Sequence, residues 1–141
     1  MTLSRRKTLA LGSAAISISI IPFDLAFAIK PETQALVDEF TNGASVSEEG
    51  ALIISAPEIA ENGGAVPISI NAPGAKRIVI IAENNPNPKV ITFNFGELSG
   101  RSEVSTRIRL HSTQDLLAVA ELNDGSFISS AVNIKVTLGG C

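Results

Sequence analysis

After residue 50 the chain consists of short segments in which apolar and polar side chains alternate, the period of a β-strand, and of short continuous apolar runs. Val66, Ile68 and Ile70 share one face of such a segment. A continuous apolar run at 78–81 is expected for a strand in the middle of a sandwich. In the segment 104–110 the predicted inward face is Val104, Thr106, Ile108 and Leu110, and the predicted outward face is Ser105, Arg107 and Arg109.

Strand-like segments of this kind follow one another at roughly ten-residue spacing, with turn residues between them. They are 52–54, 66–71, 77–82, 90–95, 104–110, 116–122 and 127–138. The Asn-rich, Pro-rich run at 84–88 and the Asn-Asp-Gly run at 123–125 are strong turn signals. The pattern predicts an all-β, immunoglobulin-like sandwich of about seven strands. The Cys-Trp-Cys core of antibody domains is absent, so the prediction concerns the architecture only.

One short helix is predicted before the strands, over residues 31–40. Pro31 and the early Glu32 are typical of a helix start, and Asn42-Gly43 is typical of a helix end. Apolar residues at helical spacing predict its buried face: Leu36, Val37 and Phe40. The acidic residues are expected to form a solvated surface: Glu32, Asp38 and Glu39.

The first 28 residues have the order of an export signal. A basic Arg5-Arg6 pair is followed by an apolar run at 9–21 and by the small-x-small sequence Ala26-Phe27-Ala28. Cleavage is expected after Ala28, and the twin arginines favour export of the folded protein. A Phe is usual in such signals where Thr8 stands. The alternative is an uncleaved membrane anchor, although the apolar run is short for a bilayer span of about 20 residues.

Removal of this signal makes the remaining chain more acidic. The whole sequence has 11 Lys and Arg against 14 Asp and Glu, and residues 29–141 keep 8 and 13 of these, a net charge of −5. This balance argues against nucleic acid or an anionic membrane surface as a partner. No transmembrane segment is expected after cleavage. The chain has six Phe and neither Trp nor Tyr, so the predicted core is aliphatic.

The residue inventory excludes most familiar catalytic and cofactor sites. With one His and one Cys, no zinc site of the usual ligand count is available within one chain. Neither a GxxxxGK nor a GxGxxG phosphate motif occurs. His111 could form a nucleophile–base pair with Cys141, but it is better explained as a loop residue after a strand. Arg107 and Arg109 form a solvated face, or alternatively a partner contact or an anion-steering surface. No cofactor is predicted.

Cys141 is the only cysteine, and it follows the pair Gly139-Gly140. Exported proteins tend to lose an unpaired thiol that has no role, so a function in covalent chemistry is expected. The two glycines allow the backbone great freedom and leave the sulfur without bulky neighbours. The alternatives are an intermolecular disulfide and a leftover cysteine with no role.

Several separate blocks of the sequence resemble the SoxY family of sulfur carriers. They are Pro57-Glu58-Ile59-Ala60-Glu61-Asn62-Gly63 with Val66-Pro67, Asn85-Pro86-Asn87-Pro88, Ser99-Gly100-Arg101 with Glu103-Val104-Ser105-Thr106-Arg107-Ile108-Arg109-Leu110, Ala118-Val119-Ala120-Glu121 with Asp124-Gly125-Ser126-Phe127, and the Gly139-Gly140-Cys141 tail. Their common order makes the resemblance specific, whereas the tail alone would be weak. The family tail has two glycines after the cysteine, and this sequence ends at Cys141.

The resemblance implies a carrier and not an enzyme. Cys141 would hold the thiosulfate-derived sulfur covalently, and Gly139 and Gly140 would form a flexible arm. The implied organisation is a signal peptide at 1–28, a SoxY-like sandwich domain at 29–138 and a carrier arm at 139–141. The implied partners are a SoxZ-like subunit in a heterodimer and, transiently, SoxAX-, SoxB- and SoxCD-like enzymes of the periplasm. The alternative class is an exported structural β-sandwich whose terminal cysteine forms an intermolecular disulfide.

Overall fold

The computed structural model of the chain describes residues 29–140. The predicted signal peptide at 1–28 and Cys141 lie outside the described residues. The elements in chain order are α1 (Pro31–Thr41), β1 (Val46–Ser47), β2 (Ile53–Ser55), β3 (Ile59–Ala60), a 3-10 turn (Gly63–Ala65), β4 (Val66–Asn71), β5 (Ala75–Ala82), β6 (Lys89–Asn94), β7 (Glu103–Ile108), β8 (Gln114–Leu122) and β9 (Phe127–Val136). The helix and all seven predicted strands are present.

The strands form two sheets, which confirms the predicted sandwich. The larger sheet has the order β1-β9-β8-β5-β6, and β3 pairs in parallel with the end of β9. The smaller sheet has the order β2-β4-β7. The two-residue strands β1 and β3 were not predicted, because a segment of that length has no period that could reveal it.

The core between the sheets is aliphatic, as the composition predicted. Ile70 of the smaller sheet and Ile80, Leu116 and Ile134 of the larger one are almost completely buried there. The alternation predicted for 104–110 is also confirmed, since the four inward residues are buried or half-buried and the three outward residues are exposed. Burial of such side chains contributes about 1.5–3 kcal/mol each, so this core is the main stabilising feature of the fold.

Helix α1 packs on the outer face of the larger sheet. Asn42, in the left-handed conformation with φ of 54°, ends the helix, and Gly43 follows at φ of 75°. Val37 and Phe40 are buried against the sheet, and the rings of Phe40 and Phe127 meet edge to face with centroids 6.1 Å apart. Strands β5 and β8 are therefore covered on both faces, which explains the continuous apolar run at 78–81.

The end of β9 differs from the prediction. The last strand was predicted to extend to Leu138, but Leu138 lies beyond the strand and is 69% exposed. The register with β8 ends at Ile134, and the strand itself ends at Val136. Beyond that point the backbone bonds to residues 60–63 instead, so the alternation of the strand no longer applies. Within residues 29–140, no helix has the length and apolar character needed to cross a membrane.

Candidate functional site: the docked C-terminal tail

The segment that precedes Cys141 lies against one end of the sandwich. We call residues 137–140 the C-terminal tail. They follow β9 and meet the 3-10 turn that begins at Gly63 and the residues that follow β7. Gly63 and Gly140 are both buried. The tail therefore has a defined place on the folded domain in this structure.

Backbone hydrogen bonds join the tail to two distant segments of the chain. The Gly63 N–H donates to the carbonyl oxygen of Leu138 at 2.7 Å, and the Gly140 N–H donates to the carbonyl oxygen of Leu110 at 2.9 Å. The segments that contain Gly63 and Leu110 are also bonded to each other, because the Leu110 N–H donates to the carbonyl oxygen of Gly63 at 2.8 Å. Gly63, Leu110 and the tail thus form one continuous hydrogen-bonded arrangement.

Three glycines make this close approach possible. A Cβ atom on Gly139 would lie 2.2 Å from the carbonyl oxygen of His111, and one on Gly63 would lie 2.3 Å from that of Leu110. A Cβ atom on Gly140 would lie 2.7 Å from the carbonyl oxygen of Gly63. All three distances are far inside van der Waals contact, so a side chain at any of these positions would displace the backbone. In this structure Gly139 and Gly140 lie against the backbone of residues 63 and 109–111. The flexibility expected for these two glycines stays a prediction.

The side chain of Asn85 holds the segment on which the tail rests. Its Nδ2 donates to the carbonyl oxygen of Arg109 at 2.7 Å, and its Oδ1 accepts from the His111 N–H at 2.9 Å. The same Oδ1 accepts from Nε2 of Gln114 at 3.0 Å. Asn85 belongs to the turn at 84–88, so this turn fixes the backbone on both sides of Leu110. We call Asn85 and Gln114 the amide clamp.

Gln114 is the buried half of the amide clamp, with only 4% of the residue exposed. Its Oε1 accepts from the Asn84 N–H at 2.8 Å, and its Nε2 also donates to the carbonyl oxygen of Ser112 at 3.1 Å. A buried amide with all of these partners is stabilising, whereas the loss of one partner leaves a costly unsatisfied group. The amide clamp was not predicted from the sequence. The Asn-Pro-Asn-Pro block at 85–88 begins with Asn85 and is one of the blocks that resemble the SoxY family, so it indicated that this turn is important.

A shallow cleft of about 390 Å³ lies beside Gly140. Its lining residues are Asn85, Pro86, Asn87, Arg109, His111 and Gly140. The aliphatic part of Arg109 packs beside the tail, since a Cβ on Gly140 would lie 2.7 Å from its Cγ. Arg109 and His111 were assigned separate roles from the sequence, and both line this cleft. His111 is an exposed loop residue as predicted, and its relation to Cys141 lies outside the described residues.

Other candidate residues lie away from the tail or remain on the surface. Arg107 is exposed on the outer face of β7. The acidic residues of α1 are exposed as predicted, and Glu39 pairs with Lys89 at 3.2 Å. Among the described residues, no group of three or more His, Cys, Asp or Glu side chains could hold a metal ion.

Comparison with known proteins identifies a family. The family model described as "Sulfur oxidation protein SoxY" matches residues 37–141, from the middle of α1 through Cys141. The solved sulfur carrier protein SoxY from Chlorobium limicola f thiosulfatophilum is 32% identical, with a TM-score of 0.65 over 74% of this chain and 96% of that chain. No curated protein matches the chain.

Two more distant structures share the fold alone. A superoxide reductase (neelaredoxin) from Ignicoccus hospitalis is 19% identical, with a TM-score of 0.55 over 70% of this chain and 90% of that chain. Another structure of the superoxide reductase from this organism is also 19% identical, with a TM-score of 0.52 over 61% of this chain and 80% of that chain. The SoxY match, in contrast, is supported both by the family model and by a relative covered almost completely. The chain belongs to the SoxY family of sulfur oxidation proteins.

Proposed function

We propose that this chain carries sulfur intermediates covalently on Cys141 during the oxidation of thiosulfate. The observation that carries the proposal is that the SoxY family match extends through residue 141, the position of the only thiol in the chain. The chain acts as a substrate-carrying subunit, and the chemistry is performed by the enzymes to which it presents the bound sulfur.

The loading step forms one sulfur–sulfur bond and releases two electrons. The thiolate of Cys141 joins the outer sulfur of thiosulfate to give a Cys–S–S–SO3⁻ adduct, and a SoxAX-like haem enzyme accepts the two electrons. A SoxB-like hydrolase then adds water across the bond to the sulfonate group, which releases sulfate and two protons and leaves a persulfide on Cys141. A SoxCD-like dehydrogenase, where present, accepts six electrons from the remaining outer sulfur, which takes three oxygen atoms from water to become a sulfonate and releases six protons. Hydrolysis of this group then releases sulfate and two protons and restores the thiolate.

The position of the tail supports this role. Gly139 and Gly140 have no side chains, so the segment that leads to Cys141 is narrow enough for the clefts of other proteins. The sandwich gives the tail a fixed base, because Gly63 and Leu110 belong to segments that are hydrogen-bonded to each other. A rigid domain with a narrow terminal segment is well suited to presenting one sulfur atom to several enzymes in turn.

The proposal includes an assembly and a location. The chain pairs with a SoxZ-like subunit as a heterodimer and contacts SoxAX-, SoxB- and SoxCD-like enzymes transiently. It acts in the periplasm after export by the twin-arginine route and cleavage after Ala28. The net charge of −5 over residues 29–141 supports partners other than nucleic acid or an anionic membrane.

Intact-mass measurement tests the proposal. The mature chain with its SoxZ-like partner would be incubated with thiosulfate, a SoxAX-like enzyme and an oxidised cytochrome. We expect a mass increase of one S2O3 group on this chain, removed by reductant and absent from a Cys141→Ser variant. A chain that stays unmodified and instead forms only a disulfide-linked homodimer would contradict carriage and support the structural alternative.

A further inference from the structure

We propose that the acidic cleft formed by Glu48, Glu83 and Asp115 binds the α-ammonium group that signal cleavage after Ala28 creates on Ile29. The inference rests on one part of the proposed function, namely the position of the cleavage site. The ligand is a primary ammonium group, and the chain's own mature N-terminus supplies it. The cleft lies on the outer face of the larger sheet, the face that α1 covers.

The acidic cleft collects carboxylates from three separate segments. It has a volume of about 260 Å³, and its charged walls are Glu48 after β1, Glu83 after β5 and Asp115 in β8. An adjoining hollow shares Ile29 and Glu48 with the cleft and adds the carboxylate of Asp38 from α1. Among the residues that the structure describes, no Lys, Arg or His lines either space. Both spaces therefore present negative charge that no basic side chain in their walls offsets.

Two of the three carboxylates of the cleft have no partner within residues 29–140. Glu48 and Glu83 form no ion pair there and accept no side-chain hydrogen bond, because the ion pairs of this part of the chain involve other acids. Asp115 accepts one hydrogen bond, from Nδ2 of Asn133 at 2.7 Å. Like charges gathered around one cleft repel each other, so a cation between them is favourable.

The position of Ile29 is a second observation, and it identifies the cation. Ile29 lines both the cleft and the adjoining hollow, and its half-buried side chain packs on the apolar cluster between α1 and the larger sheet. The next residue is also held, since Nζ of Lys30 donates to Oδ1 of Asn84, the neighbour of Glu83. A backbone nitrogen lies about 1.5 Å from its own Cα. A residue that is fixed in the wall of the cleft therefore keeps its α-nitrogen at the cleft.

Electrostatics favours the charged form of this α-amine. A cleft of about 260 Å³ is on the order of 8 Å across, close to the Debye length at physiological ionic strength, so salt screens the attraction only in part. The positive end of the helix dipole begins two residues later, at Pro31, and the carboxylates offset its repulsion of a cation. Ile29 is partly exposed, so desolvation, which would lower the pKa, is the smaller effect. We expect the pKa of the α-ammonium to lie above its ordinary value of about 7.7–8.0.

Competitive acetylation measures this pKa. The chain, prepared with Ile29 as its first residue and assembled with its SoxZ-like partner, would be treated with trace acetic anhydride between about pH 6 and pH 10. Mass spectrometry of the N-terminal peptide gives the extent of acetylation at each pH. We expect a pKa about one unit above the ordinary value, which means about tenfold less free amine at neutral pH. An ordinary pKa in this folded chain would overturn the proposal.

Two double variants test whether the acidic cleft causes the shift. Glu83→Gln with Asp115→Asn should return the pKa of the α-ammonium to its ordinary range. Glu97→Gln with Glu103→Gln is the matched control, because it also removes two carboxylates, from exposed residues near the start of β5, whereas Glu83 follows the end of β5. The control should keep the raised pKa. Equal pKa values in the two variants would overturn the proposal, and the unsubstituted chain decides it alone if the first variant fails to fold.

N-terminal sequencing of the chain isolated from the periplasm tests the origin of the ligand. We expect Ile29 as the first residue; a different first residue would refute the predicted cleavage and overturn the proposal, while carriage on Cys141 would stand. The acetylation result is independent of carriage in the same way. A raised pKa in a chain that takes up no thiosulfate would support the ammonium site and refute the proposed carriage, and an adduct on a chain with an ordinary pKa would refute only the ammonium site.

Discussion

Replacing Cys141 by serine is expected to abolish sulfate release from thiosulfate by a reconstituted Sox system, with turnover falling to the background level without this chain. A serine oxygen cannot form the sulfur–sulfur bond that the loading step requires, and the chain has no second thiol to replace it. Ion chromatography of sulfate and the absorbance of the reduced cytochrome measure the two products. The thermal midpoint should stay the same, because Cys141 lies beyond the last strand.

A variant whose only thiol lies elsewhere tests whether the position of the sulfur matters, and not only its presence in the chain. Ser99 is exposed on the loop before β7, at the end of that strand opposite to Leu110. A Cys141→Ser chain that also carries Ser99→Cys has one thiol per chain, as the parent does, and should release no sulfate. If this double variant restored turnover, or if Cys141→Ser alone retained it, carriage on Cys141 would be wrong.

Replacing Gln114 by alanine is expected to lower the free energy of unfolding by about 2–4 kcal/mol. Gln114 is almost completely buried, and its amide bonds to Asn84, Asn85 and Ser112. The substitution leaves the Asn84 N–H without its bond to Oε1 and removes a donor from Asn85 and Ser112. It also leaves a cavity at the start of β8, which adds to the lost hydrogen bonds.

Urea denaturation followed by circular dichroism measures this effect. Gln34→Ala is the matched control, because Gln34 is an exposed residue of α1 whose amide bonds only to the nearby Asp38 at 2.8 Å. That substitution should change the free energy of unfolding by less than about 0.5 kcal/mol. Equal losses in the two variants would show that the amide clamp adds nothing beyond an ordinary surface contact.

Most of the fold was predictable from the sequence because the side of a strand that is buried determines which of its positions are apolar. Val66, Ile68 and Ile70 alternate with polar residues since β4 is buried on one face, and the run at 78–81 is continuous since β5 is buried on both. The helix was predictable from its proline start and from the left-handed Asn42 at its end. Leu138 was placed wrongly, because its apolar side chain continues a pattern that the backbone leaves at Val136.

The candidate site was predictable only in part. Cys141 and the adjacent glycines were singled out from composition and from the family tail. The fit that docks the tail was not, because it depends on Gly63, Leu110 and Gly140, which are distant in sequence and meet only after both sheets have formed. The amide clamp was missed for a related reason: a glutamine at the start of an apolar strand has no local sign of burial, and only the turn at 84–88 gives it partners.

Tandem mass spectrometry of the C-terminal peptide tests carriage on Cys141 most directly. Trypsin cleavage after Lys135 releases the peptide that begins at Val136 and contains Cys141, the only cysteine of the sequence. The chain would be isolated under acidic, non-reducing conditions from cells that are oxidising thiosulfate. We predict fragments that place a thiosulfonate, persulfide or sulfonate group on Cys141. A peptide found only as the free thiol or as a disulfide dimer during active thiosulfate oxidation would contradict the carrier function.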